Sequence, residues 1–519
     1  MKYILPTVVC AVLASNSFAQ HIEEIEVVGQ SNSRIAVNVD QHFTITEAIL
    51  PTTIYTPGGI GGFSGFNERG AQVIHTAVYK NGVPANDPSN GWYDFAHDTA
   101  TGNETVKVVN GPNGVLYGSG SLGGAVFLTD SINNESAFRF GSNKHTMFTS
   151  SLGSVINFNG VMTENRSVRT DNNETDSYKN FGVKTVFDLA DFEFAGNVND
   201  YKYDFDQCWN NWGIYTNDCT QEGQRINLSA RNDNISLGYN RTDTEYFALN
   251  DNTWSSTGER YFVDLKDTYE TDRDKFTYGV QYEDEHYVDS RSVLSGYALA
   301  NFDNIYDIGV RYNKYSTTIR TGLEFFGFTL SAGTSYRLPT LYELNGDSWV
   351  VANPNLEPEK ATGVEMSYGA FNIFHYDFDQ GIDYNFNSNQ YVNTGKYVTQ
   401  GIRFNKDFNV LSNTINIFLG YTDSDISRVP KYKSSISYIS PLANDYTATT
   451  RWVTEFDKGV DFTGQPIDDA NTVELVIDKK LSNHYSMSFL VQDLFNNAFE
   501  IVPGYRAGGR TYYLTINYR

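Results

Sequence analysis

The sequence predicts an all-β transmembrane barrel of about 22 antiparallel strands, with an N-terminal α+β domain inside it. Three observations support this prediction: an export signal, a Gly-rich stretch before residue 131, and a hydrophobic period of two from there to the last residue. We therefore expect four segments: a signal peptide over 1–19, a short connecting segment over 20–34, the α+β domain over 35–130 and the barrel over 131–519.

The N-terminus carries the signature of a secretory signal peptide. Lys2 precedes an apolar run over 4–13, and Ser17-Phe18-Ala19 provides a small-x-small site ahead of Gln20. The run is too short to cross a bilayer as a helix, and Cys10 lies within it rather than after it. We therefore expect the mature chain to start near Gln20 and to be exported.

The region 35–130 differs from the rest of the chain in its density of turn signals. These signals are Pro57-Gly58-Gly59, Gly61-Gly62, Asn81-Gly82, Gly111-Pro112 and Gly123-Gly124. Long stretches of alternating polarity are missing from this region. The pattern indicates a small α+β domain.

From about residue 132 onward, apolar and polar residues alternate. In the last segment one face carries Tyr512, Leu514, Ile516 and Tyr518, and the other carries Tyr513, Thr515, Asn517 and Arg519. Such two-faced strands suit a membrane barrel, which must close because open edges leave backbone groups without partners in lipid. The length accommodates about 22 strands of about 10 residues if the outer loops are short. A secreted β-sandwich or β-propeller is the alternative, but no repeat of about 40 residues is evident.

Composition excludes several classes of function. The net charge of −24 disfavours nucleic acid, because phosphate binding needs a basic surface. The 36 Tyr and 34 Phe suit strands and the aromatic girdles of a membrane barrel. The sequence has no HExxH or GxSxG motif, and the eight His form no ligand-spaced pair, so we expect neither an enzyme nor a catalytic metal.

Two cysteines remain once the signal peptide is removed. Cys208 and Cys219 form an even pair in an oxidising compartment, which predicts one disulfide in an extracellular loop. Asp204, Asp206 and Asp218 flank this loop and could hold calcium, but the spacing is not that of an EF-hand. A solvated acidic loop is the simpler interpretation, and we expect no resident cofactor.

Several motifs follow one another in an order that is known from one protein family. They are Asn67-Glu68-Arg69-Gly70, Tyr79-Lys80-Asn81-Gly82-Val83, Asn110-Gly111-Pro112, Tyr117-Gly118 through Gly123-Gly124-Ala125-Val126, Tyr336-Arg337-Leu338-Pro339, Asn353-Pro354-Asn355-Leu356-Glu357-Pro358-Glu359-Lys360 and Gln492-Asp493-Leu494-Phe495-Asn496. This set resembles the TonB-dependent outer-membrane receptors, and its first part is most similar to the plug domain of cobalamin and siderophore receptors. The sequence departs from the family in Asn110, where an Arg is usual, in a short plug start, and in its Tyr518-Arg519 end.

The segment that follows the signal peptide resembles the TonB box of this family. Its residues are Ile22, Glu23, Glu24, Ile25, Glu26, Val27, Val28 and Gly29. Taken alone, this stretch is only a short strand-former near a terminus. The resemblance implies that it pairs as an added strand with TonB, the energising protein of the inner membrane.

The resemblance also implies functional residues in the plug. Arg69 would pair with Glu365 of the barrel as a latch, whereas a solvated pair at the surface would contribute under about 1 kcal/mol. Ligand contacts would come from outward-facing plug turns, at Gly61, Gly62, Ser64, Asn86, Asp87, Asn90, Trp92 and Tyr93. Alternatively, the glycines serve turn geometry and Trp92 fills a gap in the barrel.

The function that follows is active import of a scarce nutrient across the bacterial outer membrane by a monomeric receptor surrounded by lipid. We favour a corrinoid such as cobalamin as the ligand, because the resemblance over Gly58 to Val126 is nearest to the plug of cobalamin receptors. The net charge of −24 adds to this preference, since it would not attract anionic ferric chelates. A ferric siderophore is the alternative ligand. A passive porin is the alternative from another class, but it would need neither a plug nor a TonB box.

Overall fold

The fold was obtained as a computed structural model. It describes residues 27–28, 32–37, 53–55, 61–67, 69–100, 104–166, 175–461, 464–497, 499–502, 504–506 and 509–519.

The N-terminal domain is built on a five-stranded sheet. Its strands are β1 (Asn32–Val37), β4 (Thr76–Lys80), β5 (Val83–Pro84), β6 (Glu104–Asn110) and β7 (Gly124–Thr129), in the spatial order β1-β6-β7-β4-β5. A separate pair consists of β2 (Thr53–Tyr55) and β3 (Gly65–Asn67), and helix α1 spans Gly114–Tyr117. The sheet begins at Asn32, slightly before the expected boundary at residue 35.

Alternating valines and leucines of the central strands form the core of this domain. Val106 and Val108 of β6 and Val126 and Leu128 of β7 are buried together. Branched side chains suit such a buried, pleated surface. Helices are few and short in the described residues, and none is long and apolar enough to cross a membrane.

Twenty-two strands form a closed barrel in which each pair of neighbours is antiparallel, as predicted. They are β8 (Ser136–Gly141), β9 (Thr146–Leu152), β10 (Ile156–Arg166), β11 (Thr175–Leu189), β12 (Phe192–Phe205), β15 (Cys219–Arg231), β16 (Ile235–Ala248), β17 (Asp251–Glu270), β18 (Asp274–His286), β19 (Ser290–Phe302), β20 (Tyr306–Asn313), β21 (Thr317–Phe325), β22 (Phe328–Arg337), β23 (Glu359–Tyr368), β24 (Phe371–Asp379), β27 (Tyr397–Val410), β28 (Asn413–Ser424), β29 (Tyr432–Pro441), β30 (Tyr446–Phe456), β31 (Ala470–Lys480), β32 (Tyr485–Gln492) and β35 (Thr511–Tyr518).

The remaining short elements lie in the connections between barrel strands. They are β13 (Cys208–Trp209), β14 (Tyr215–Thr216), α2 (Leu341–Asn345), β25 (Ile382–Asn385), β26 (Gln390–Asn393), β33 (Glu500–Val502) and β34 (Tyr505–Arg506).

The barrel closes between its last strand and its first. Tyr518 of β35 lies opposite Ser136 of β8 in an antiparallel register. Side chains alternate between the two faces: in β20, Ile308 and Val310 are exposed on the outside while Asp307 is buried on the inside. This alternation explains how a chain of polar average composition presents an apolar surface to lipid.

The two ends of the barrel differ in the length of their connections. At one end the described turns take two to four residues, whereas at the other end the longest connection runs over 338–358. Short turns face the periplasm in outer-membrane barrels and long loops face outward. The outer connections range from the turn 249–250 to the connection 338–358, because the tight periplasmic turns leave more chain for the outer side.

Candidate functional site

An open cleft of about 620 Å³ lies at the long-loop end, between the plug turn 85–94 and the barrel wall. The wall side is formed by β12, β15 and β16, and it carries Tyr201, Tyr203 and Tyr246. Four of the predicted ligand residues line this cleft, namely Asp87, Asn90, Trp92 and Tyr93. The cleft is therefore the candidate ligand-binding site.

Trp92 presents the most accessible ring on the plug side of the cleft. Its side chain is 45% exposed and packs at 4.9 Å between ring centroids against Phe63. Tyr93, next in sequence, is buried, and its hydroxyl donates to Asp98. Burial raises the pKa of Tyr93 well above its ordinary value, and the carboxylate of Asp98 raises it further, so the hydroxyl stays protonated.

The other four predicted ligand residues do not line the cleft. A side chain at Gly61 would lie 2.2 Å from the ring of Tyr178, so this glycine allows the plug to approach the wall. Gly62 and Ser64 are buried, and the backbone N–H of Ser64 donates to Asp94. For these three residues the geometry favours packing over ligand contact.

Asn86 holds the plug turn together rather than facing the cleft. Its side-chain oxygen accepts from the N–H of Val78 at 2.7 Å, and its amide group donates to the carbonyls of Thr76 and Gly91. A second, narrow pocket is lined by Asn86, Asp87, Glu285 and Arg291, and Asp87 lines both this pocket and the cleft. The turn therefore lies between the two pockets.

The cation that lines the cleft is already engaged by the plug. Arg225 donates to the carbonyl of Asp94 at 2.9 Å, lies 3.5 Å from the carboxylate of Asp98 and stacks 4.4 Å from the ring of Tyr93. Burial would raise the pKa of Asp98, but Lys80 and Arg225 hold it below its ordinary value. The cleft therefore offers aromatic rings, neutral polar groups and the carboxylates of Asp87 and Asp94 rather than uncompensated positive charge.

The predicted pair of Arg69 and Glu365 is in contact. The guanidinium of Arg69 lies 2.9 Å from Glu365 of β23, and both side chains are almost fully buried. The hydroxyl of Tyr376 accepts from Arg69 and donates to Glu365 at 2.6 Å. A side chain at Gly111 would lie 2.5 Å from the same carboxylate, so the turn next to Asn110 needs glycine here. The pair of Arg69 and Glu365 is therefore buried and is not a solvated surface pair.

A second link between plug and wall was not foreseen from the sequence. His75 donates from Nε2 to Glu359 at 3.1 Å, because its Nδ1 accepts the backbone N–H of Gln72. Arg337 donates to Glu359 and also to Glu343. His75 lies six residues after Arg69, and Glu359 lies six residues before Glu365, so the plug segment 69–75 runs antiparallel to β23. No local sequence signal reveals this pairing.

Where the plug meets β11, the wall supplies the positive charge and the plug supplies the negative charges. Lys184 of the wall lies 3.1 Å from Glu104 and 2.9 Å from Asp130, both on the plug. Lys80 lies 2.6 Å from Asp98 in the same buried group. Although burial raises the pKa of Asp130, Lys184 and Lys80 lower it to about 2.

The TonB-box-like segment is described only at Val27 and Val28, and Ile22–Glu26 and Gly29 lie outside the described residues. The N–H of Val28 donates to Asp307 at 2.6 Å, and Arg320 donates to its carbonyl at 2.7 Å. Arg320 also donates to Asn113 of the plug. A buried ion pair on the inner wall therefore holds the backbone at the end of this segment.

Cys208 and Cys219 are joined by a disulfide in the connection between β12 and β15. This connection lies at the long-loop end. Asp204 accepts from Ser177 and Thr220, and among the described residues no group of His, Cys, Asp or Glu is arranged to hold a metal ion.

Comparison with known proteins agrees with this architecture. A family model described as "TonB dependent receptor-like, beta-barrel" matches residues 59–494. The vitamin B12 transporter BtuB of Vibrio cholerae serotype O1 is 22% identical, with 98% of this chain and 95% of that protein covered.

Solved structures of two receptors share the fold. The siderophore receptor PirA of Acinetobacter baumannii has a TM-score of 0.69 at 14% identity, covering 94% of this chain and 98% of the other. A mutant of the ferric enterobactin receptor PfeA of Pseudomonas aeruginosa has a TM-score of 0.67 at 16% identity, covering 94% and 98%. With its plug inside a closed barrel, the chain belongs to the TonB-dependent receptor family, whose members are receptors and transporters of the Gram-negative outer membrane.

Proposed function

We propose that this receptor imports a corrinoid such as cobalamin. The observation that carries the proposal is the aromatic cleft between the plug turn and the wall, where Trp92 faces Tyr201, Tyr203 and Tyr246. Clefts with aromatic walls and a few polar groups suit large, rigid ligands. Similarity to a vitamin B12 transporter over nearly the whole chain supports the same ligand class.

The electrostatics of the cleft favour a corrinoid over an anionic ferric chelate. Arg225 is the lining cation, and its charge is balanced by Asp98 and its donors are engaged by the plug. Asp87 and Asp94 also line the cleft and would repel an anion. A ligand with a broad planar face and little net charge is therefore the better match.

Energy for import would reach the plug through the segment 22–29. The ion pair of Asp307 and Arg320 holds Val28 at the wall, so pairing of this segment with TonB requires the backbone contacts of Val28 to be exchanged. The latch of Arg69 and Glu365 would then yield, and the plug turn that Asn86 holds together would be free to move.

Equilibrium binding of cyanocobalamin to the purified receptor tests the ligand. We expect Trp92→Ala to weaken binding about tenfold or more, as for a central aromatic anchor, and Trp92→Phe to lose less. Ferric enterobactin serves as the competing probe. Tight binding of ferric enterobactin with none of cyanocobalamin would show that the corrinoid assignment is wrong.

Replacement of Val27 by Pro tests the coupling. Proline removes the N–H that strand addition needs, so uptake should fail while ligand binding persists. Val27→Ala keeps the N–H and serves as the matched control. If the proline variant accumulated ligand against a gradient, the assignment of the segment would be wrong.

A further inference from the structure

A groove lies on the lipid-facing side of the barrel wall, along β19. It arises because small side chains of β19 lie between large side chains of both neighbouring strands. Read from β18 through β19 to β20, the two rows are Tyr278, Ala298 and Val310, and Phe276, Ala300 and Ile308. Its volume of about 780 Å³ falls within the range of about 300–1,000 Å³ in which ligand pockets lie, so it can hold a bound molecule.

The groove is open along the strand toward the outer side and closed at its periplasmic end. Gly296 continues the same face of β19, and a side chain placed there would meet no other atom within 4 Å. At the periplasmic end the ring of Phe302 lies 5.8 Å from that of Phe276 and 6.0 Å from that of Tyr306. Six residues of a strand span about 20 Å, which at a tilt of about 40° covers about 15 Å of depth, the hydrocarbon of one leaflet.

A carboxylate faces the lipid beside the periplasmic half of the groove. Asp267 of β17 is exposed, lies opposite Tyr278 in the strand register and accepts from the hydroxyl of Tyr278 at 3.0 Å. Its other partners are the N–H of Thr268 and the amide group of Asn234, so among the described residues none of them is a cation. A charged group on the lipid face is costly unless it is compensated, so a positive group from the lipid suits this position.

The periplasmic turns that border the groove are also acidic. The segments 267–275, 303–305 and 324–327 contain six acidic and two basic residues. This excess of negative charge repels an anionic headgroup and attracts an ammonium group. The exposed ring of Tyr278 adds an aromatic face, the kind of surface on which ammonium ions bind.

A second copy of the chain does not fit this groove. Two copies related by a two-fold axis place the same face of the molecule against itself. A groove would then face a groove, and the small side chains on its floor would lack packing partners. A flexible acyl chain, in contrast, can lie along the floor and contact both rows of large side chains.

We propose that the groove along β19 binds a phospholipid of the periplasmic leaflet that carries an ammonium headgroup, as phosphatidylethanolamine does. An acyl chain lies over Ala298 and Ala300, and the ammonium group contacts Asp267 and the ring of Tyr278. The bound lipid is a component of the wall, and its binding does not depend on which nutrient the receptor imports.

The test is native mass spectrometry of the full-length receptor, purified in a non-ionic detergent and titrated with phosphatidylethanolamine or phosphatidylglycerol of identical acyl chains. We expect the parent to bind phosphatidylethanolamine with a Kd about tenfold lower than that for phosphatidylglycerol. Asp267→Asn still accepts from Tyr278 but has no charge, so it should bind the two lipids equally.

Filling the groove tests the acyl-chain site. Gly296→Leu with Ala298→Leu places two side chains in the open groove, and we expect the Kd for both lipids to rise about tenfold. Ala448→Leu is the matched control, because this alanine lies on the face of β30 that carries the exposed Trp452, at the far side of the barrel. Its Kd values should equal those of the parent.

Each outcome decides one part of the proposal. Equal affinity of the parent for the two lipids would refute selection of the headgroup, and an unchanged preference in Asp267→Asn would refute the role of this carboxylate. Undiminished binding in the filled-groove variant would overturn the site itself. If the filled-groove variant does not fold, the comparison of the parent with Asp267→Asn still decides the proposal.

Discussion

The plug is attached to the barrel on two sides, and the charges on the two sides have opposite polarity. Along β23 the plug supplies Arg69 and His75, and the wall supplies Glu365 and Glu359. Along β11 the wall supplies Lys184, and the plug supplies carboxylates. A plug rotated within the barrel would bring like charges together in a buried setting. The two sides together therefore specify one orientation of the plug in the barrel.

The two sides also differ in how they can be released. On the β23 side each carboxylate has further partners on the wall, such as Tyr376 beside Glu365 and Arg337 beside Glu359. On the β11 side Lys184 is the wall cation that serves Glu104 and Asp130 together. The difference teaches that the β23 contacts can exchange partners one by one, whereas one wall cation, Lys184, pairs with both carboxylates on the β11 side.

Replacement of Lys184 by Met should have the largest effect. It leaves Glu104 and Asp130 buried with their wall partner missing, and breaking a buried pair costs about 3–5 kcal/mol. Denaturant unfolding of the purified receptor should show this loss in plug stability. Lys202→Met is the control, since its pair with Glu222 is exposed and should contribute under about 1 kcal/mol. If Lys184→Met and Lys202→Met reduced plug stability equally, the buried pair would contribute no more than the exposed one.

Replacement of Glu365 by Gln should have a smaller effect of about 2–3 kcal/mol. Arg69 loses its carboxylate, but the amide oxygen can still accept from Tyr376. The latch role predicts that ion conductance of the receptor in planar bilayers rises as the plug loosens. Glu222→Gln on an exposed part of β15 should leave the conductance unchanged. An unaltered conductance in Glu365→Gln would argue against a latch.

Acid should loosen the β11 side of the plug. The folded pKa of Asp130, about 2, lies below its ordinary value of 3.8, so the stabilisation is complete above about pH 4 and is lost as the pH falls toward 2. Protease accessibility of the plug, measured with pepsin across this range, should rise accordingly. In Asp130→Asn the pH dependence of pepsin accessibility should be weaker. An unchanged pH dependence would show that Asp130 is not the group whose protonation loosens the plug.

Replacement of both Cys208 and Cys219 by Ser should have the smallest effect on plug seating. The disulfide lies in an outer connection beyond both attachments. Its loss should free the hairpin of β13 and β14, at a local cost of about 3 kcal/mol in the chain-entropy model, without changing plug unfolding. Proteolysis within 206–218 with unaltered denaturation of the plug is the expected result. A change in plug stability would show that the outer loops help to seat it.

The sequence was sufficient where the pattern is local or periodic. Alternation along strands such as β35 predicted the closed barrel, and the cysteine pair predicted the disulfide. The contact of Arg69 with Glu365 followed from resemblance to the family. Even so, a period of two tells which face of a strand a residue occupies but not which strand faces the plug.

The same limit explains why several residues between the plug and the wall could not be predicted from the sequence. Tyr201, Tyr246 and Lys184 are lumen-facing residues like many others, and only closure of the barrel brings them to the plug. His75 and Glu359 are separated by 284 residues and lack a shared motif. Gly61, Gly62 and Asn86 remain predictions as ligand contacts, because turn residues have the same composition whether they bind a ligand or only shape the chain.

The closure of β35 onto β8 also constrains the order in which the molecule assembles. Ser136 and Tyr518, which meet across the seam, stand at opposite ends of the barrel sequence, so the wall stays open until export of the chain is complete. The plug is made first, yet Arg69, Asp98 and Asp130 of the plug pair with side chains of β23, β15 and β11. The plug must therefore be enclosed before or while β35 pairs with β8. An enclosed plug with charges on two sides would act as a template on which the remaining strands of the wall assemble.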